Sequence, residues 1–123
     1  GRASWATGRQ AGSRGPEVSW IGVDLDGTLA QYGGWKGPDT IGEPVPLMKE
    51  RVMKWLNEGA EVRIFTARAA IPEQVAPVEA WCKRHLGVVL PVTNVKDFGM
   101  TELWDDRAVG VVANTGQRAD GKE

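Results

Sequence analysis

Apolar residues first gather in Trp20-Ile21-Gly22-Val23, ahead of the acids in Asp24-Leu25-Asp26. A short hydrophobic run that ends in charge suits a strand covered on both faces. From Gly27 to Glu43 the pattern lapses, because Gly33, Gly34, Gly37 and Pro38 interrupt any helical or alternating period. This predicts a loop longer than most connections, of the kind that forms lids. Pro44 and Pro46 can open a helix, Met48, Val52, Trp55 and Leu56 recur at helical spacing, and Gly59 is placed to end it. Glu61 to Thr66 predicts a second strand, and a second helix follows near Pro72, with Val75, Val78, Cys82 and Leu86 on its buried face. Pro77 is tolerable there only within the first turn or so. Gly87 to Val92 predicts a third strand, Thr101 to Trp104 a fourth that runs into Asp105-Asp106, and Ala108 to Ala113 a fifth.

Strands alternating with helices imply an α/β fold with a mainly parallel sheet of about five strands joined by right-handed crossovers. The 123 residues fit one domain, which the pattern assigns to residues 18–115. Residues 1–17, rich in Gly, Ser, Arg and Ala, read as an N-terminal tail, and residues 116–123 as a C-terminal one. With 41% hydrophobic and 25% charged residues the composition is that of a globular protein, and no apolar run approaches a membrane span. The formal net charge of -1 gives no long-range pull toward nucleic acid, so that partner is not indicated. Cys82 is the single cysteine, which excludes an intrachain disulfide and favours a cytoplasmic setting.

Sheets of this kind bind ligands beyond the carboxyl ends of their strands. Asp24 and Asp26 follow the first strand, Thr66 ends the second, Lys96 lies after the third, and Asp105 with Asp106 ends the fourth. All six are expected at one edge. Carboxylates crowded together repel one another and lose hydration, so the cluster is tolerable only if some are protonated or a cation sits among them, and a hard divalent metal is the natural solution. Oxygen ligands without a cluster of His or Cys favour Mg2+ over zinc, and Mg2+ takes phosphate oxygens as further ligands. Thr66 offers a hydroxyl and Lys96 a positive charge for the remaining phosphoryl oxygens. The rival motifs fail: a calcium loop begun at Asp24 would have Leu29 where it needs Gly and Trp35 where it needs Glu, and Gly33 to Gly37 lacks the Gly-Lys-Ser/Thr ending of a nucleotide loop. His85, at the end of the second helix, suits the helix dipole. Tyr32 and Trp35 on the lid are placed either to stack on a substrate ring or to pack onto the domain.

In this order Asp24-Leu-Asp26-Gly-Thr28-Leu, Thr66, Lys96 and Asp105-Asp106 resemble the haloacid dehalogenase superfamily of phosphohydrolases over roughly residues 20 to 115. Ile41-Gly-Glu-Pro44, Thr66-x-Arg68, Asn94 and Asp105-Asp106-Arg107-Ala are similar to a group of small bacterial and phage members. The resemblance implies a three-layer Rossmann-like fold with a minimal cap or none, and a Mg2+-dependent phosphatase acting on a phosphorylated substrate. It implies that Asp24 attacks phosphorus, that Asp26 protonates the leaving oxygen and then activates water, and that Thr66 and Lys96 hold the phosphoryl group. Metal ligation would fall to Asp24, the Asp26 carbonyl, and Asp105 and Asp106, one of these two directly and the other through water. Thr28 and Arg68 are the candidate substrate-binding residues. Two alternatives stay open, a phosphotransferase or nucleic-acid end-processing component and a catalytically silent metal- or phosphate-binding module.

Overall fold

The structure is a computed structural model that describes residues 18–122. The expected tail at residues 1–17 lies outside the described residues. Four strands form one sheet: β1 (Trp20–Val23), β2 (Val62–Phe65), β3 (Val92–Thr93) and β4 (Met100–Trp104). Their order is β3-β2-β1-β4 and every pair is parallel, with Ile21 opposite Val62, Ile64 opposite Val92 and Val23 opposite Trp104.

Helix α1 (Pro46–Asn57) starts at a proline, whose missing N–H costs nothing in a first turn, and Gly59 follows its end at φ 87°. Helix α2 (Val75–Leu86) carries Pro77 within its first turn and stops at Gly87, which takes the left-handed conformation and donates its N–H to the Lys83 carbonyl. Val78, Trp81, Cys82 and Leu86 form its buried face. Trp81, absent from the expected face, also donates its indole N–H to the Gly42 carbonyl at 2.8 Å and so ties α2 to the base of the long loop.

Both crossovers step the same way, from β1 to β2 and from β2 to β3. Right-handed connections therefore put α1 and α2 on one face of the sheet. The core agrees: Val23, Val62 and Ile64 pack with Met48 and Val52 of α1 and with Val78, Cys82 and Leu86 of α2. The opposite face carries Trp20, Gly22, Arg63 and Phe65, and no helix among the described residues covers it. The Trp20 ring covers it instead. It is 1% exposed, lies 6.4 Å from Phe65 and under the Arg63 guanidinium, and donates its N–H to Asp97 at 2.8 Å. Gly22 makes this possible, since a Cβ there would press on the Trp20 ring at 3.2 Å and on Met100 at 3.0 Å.

Three expectations are corrected. The described residues make two layers rather than three, because the chain passes from β3 to β4 through residues 94–99 with no helix. The third strand is Val92–Thr93 rather than residues 87–92, since Gly87 is committed to ending α2. Residues 108–113 form no fifth strand. Gly110 and Val112 bond instead to Ala119 and Gln117 across a turn with Asn114 at φ 68°. No helix among the described residues is long and apolar enough to cross a membrane.

Candidate active site

The chain moves from β1 outward to β2 and β3, then returns to place β4 on the other side of β1. Where direction reverses, the loops leaving adjacent strand ends diverge and open a crevice. Asp24 follows β1 at this point, and Asp105 and Asp106 follow β4. One carboxylate oxygen from each of the three lies within 4.8 Å of the other two. Asp24 and Asp105 are half-buried and Asp106 is exposed.

Thr28 braces the cluster. The turn after β1 returns on itself through bonds from Ala30 N–H to the Leu25 carbonyl and from Gly27 N–H to the Ala30 carbonyl, both 2.8 Å, with Leu25 and Leu29 fully buried. This carries the buried Thr28 hydroxyl under the acids. It accepts from the Asp106 backbone N–H at 2.9 Å and lies 3.0 Å from an Asp106 oxygen and 3.4 Å from an Asp24 oxygen. Gly27 sits at φ 92°, and a Cβ there would lie 2.6 Å from the Asp106 carboxylate. The motif glycine is thus required both by its backbone and by the close approach of a site residue.

Burial, followed by the charge of Asp105 and a hydrogen bond with Asp106, pushes the Asp24 carboxyl up to about 7. The donor set fits a hard cation: all the groups are carboxylate oxygens, and no His or Cys is among them.

A cleft of about 580 Å³ opens above these acids, walled by Asp26, Thr66, Arg68, Asn94 and Arg107, and by Tyr32 and Trp35 from the long loop. Thr66 ends β2 and is 2% exposed. Its oxygen accepts from the Arg68 backbone N–H at 3.1 Å, capping the helical turn at Ala67–Ala70 and leaving its O–H to donate. Asp26 stands apart from the three clustered carboxylates. Its two oxygens accept from Arg68 Nε at 2.7 Å and from a terminal nitrogen at 2.9 Å. Arg68 is 4% exposed and also donates to the carbonyls of Pro38 and Thr40, both at 3.1 Å.

Of the residues singled out from the sequence, Asp24, Asp26, Thr66, Arg68, Asp105 and Asp106 meet at this cleft, and Thr28 supports it from below. Lys96 does not line the cleft; it is exposed on the connection between β3 and β4. Gln74 and Phe65 line it without having been anticipated, since nothing in their local pattern distinguishes them from ordinary helix-start and strand residues. Set against protein-family models, curated proteins and solved structures, the chain matches none.

Proposed function

We propose that the protein is a Mg2+-dependent phosphate monoester hydrolase working through an aspartyl-phosphate on Asp24, on a haloacid-dehalogenase-type fold without a cap. One observation carries the reading: Asp24, Asp105 and Asp106 converge from two adjacent strand ends at the switch point of a parallel sheet. Magnesium at these carboxylates would supply positive charge for phosphoryl oxygens and favour the ionised form of Asp24. The chain's own groups then do the following. Asp24 bonds to phosphorus as the ester P–O bond breaks, and Asp26, which must first free one oxygen from the Arg68 fork and take up a proton from solvent, gives that proton to the leaving oxygen. Water next attacks the same phosphorus, Asp26 takes the water proton, and inorganic phosphate leaves with Asp24 restored. Arg68 holds Asp26 in place for both transfers, and the Thr66 O–H is available to a phosphoryl oxygen.

Phosphate release from a panel of esters with and without Mg2+ tests this. Turnover should need Mg2+ and fall by about three orders of magnitude or more in Asp24→Asn, which has no nucleophilic carboxylate. Activity retained in that variant would end the assignment. The exposed position of Lys96 favours a second reading, a metal- or phosphate-binding module without turnover. Magnesium binding with no phosphate released from any ester would select it.

A further inference from the structure

The lip of the cleft is aromatic. Tyr32 and Trp35 flank the Gly33-Gly34 pair and are 49% and 52% exposed. An aromatic side chain on a glycine-rich loop ordinarily gains nothing by staying in water. Trp35 is braced there: the Arg68 guanidinium lies 4.8 Å from the centroid of its ring. Arg68 is itself fixed by Asp26 and by the carbonyls of Pro38 and Thr40, the latter two on the same loop as Trp35. A locked cation thus sits against the indole while half of the side chain faces solvent, which makes a rigid, flat, apolar surface. The cleft volume of about 580 Å³ lies within the range of about 300–1,000 Å³ common for whole small-molecule sites, and a phosphoryl group alone would leave most of it empty. Gln74 and Asn94 line the same cleft, and their side chains are amides that offer both donors and acceptors.

The geometry points to a nucleotide as the substrate class: phosphate at the carboxylates, nucleobase stacked on Trp35, and base edge toward the amides. This rests on the phosphate-ester reading of the site. A sugar phosphate or a phosphoserine side chain would use the acidic floor without a planar base to stack on the platform. The same nucleotide chemistry is presented by a free nucleoside monophosphate and by the terminal nucleotide of a nucleic-acid strand.

The test compares nucleoside 5′-monophosphates, ribose 5-phosphate and a short oligonucleotide with a terminal phosphate, all with Mg2+, on the wild-type chain, Trp35→Leu and Trp35→Phe. Stacking predicts a KM about 5- to 100-fold lower for the nucleotides than for ribose 5-phosphate. Trp35→Leu should remove that difference, with the loss in KM rather than kcat, and Trp35→Phe should restore part of it. The wild-type comparison stands alone if a variant misfolds. Equal KM for nucleotide and ribose phosphate overturns the inference and leaves the phosphatase standing. If no ester is turned over, the proposed function fails, and calorimetric titration with the same ligands decides the platform: tighter binding of the nucleoside monophosphate upholds it, and equal affinity overturns it. A lower KM for the oligonucleotide than for the mononucleotide assigns the strand end as the source, and the reverse order assigns the free nucleotide.

Discussion

Asp24 has the least comfortable setting of the described carboxylates. Its carboxyl is pushed from an ordinary 3.8 up to about 7, first by burial and then by Asp105. Between those values the folded, metal-free chain binds more protons at Asp24 than the unfolded chain does, so stability falls as pH rises from about 4 to about 7. Asp24→Asn has no charge to impose, and in metal-free solution at pH 8 it should be more stable than wild type by about 1 kcal/mol, allowing for solvent screening of a half-exposed group. At pH 4 the two should be nearly equal. Urea unfolding with chelator at both values checks this, and a variant less stable than wild type at pH 8 would show that the acids are not in repulsion. The same variant is the one expected to lose turnover, which separates the chemical cost of the site from its structural cost. Thr28 and Arg68 illustrate how a residue's type can be legible and its partner not. Both are polar residues of the motifs, yet one lies beneath two acids and the other clamps Asp26 to a loop.

Among the elements, the turn after β1 and the long loop have the most exacting geometry. Gly27→Ala would place a methyl group against the Asp106 carboxylate in a backbone conformation that alanine rarely adopts. We expect Mg2+ affinity to drop about tenfold or more by calorimetry, with at most about 1–3 kcal/mol lost in stability, since α1 and α2 are untouched. Unchanged Mg2+ affinity would exclude Asp106 from the proposed metal site. The loop from Gln31 to Glu43 is closed at its base by the Gln31 N–H on the Glu43 carbonyl and held in its middle by Arg68. Arg68→Met keeps the bulk and removes the fork, leaving Asp26 and two carbonyls without their donors. It should cost about 2–4 kcal/mol and raise protease cleavage within residues 32–42. Resistance equal to wild type would mean that the loop holds its own shape. Periodicity locates the first helix within a residue or two because it has an apolar stripe between Pro46 and Gly59, whereas the second is found by its stripe alone: its α-helical part begins at Val75, after a short helical turn at Pro72–Gln74, and Gly87, expected in a strand, ends it. The third strand was misjudged because Val88, Val89 and Leu90 have the composition of a strand, while only two residues reach β2 to pair with it.

For the whole molecule, the uneven covering of the sheet is the main departure from a doubly covered parallel sheet. Trp20 stands where a third layer would be, and Trp20→Ala would open that face of β1 and leave Asp97 without its indole donor. A loss of about 3–5 kcal/mol is expected from denaturant unfolding, the range for truncating a large buried aromatic. A loss below about 1 kcal/mol would mean that this face contributes little to the fold. The chain's local pattern determined the β/α alternation, the parallel sheet and the acids at strand ends, because periodicity, helix breakers and charge at the close of an apolar run are properties of neighbouring residues. Tertiary structure alone decided which polar groups meet. Strand order brought Asp24 to Asp105 and Asp106, a missing crossover helix between β3 and β4 left two layers rather than three among the described residues, and the path from β3 to β4 left Lys96 in solvent. Each depends on distances between segments far apart in the chain, which no local spacing encodes.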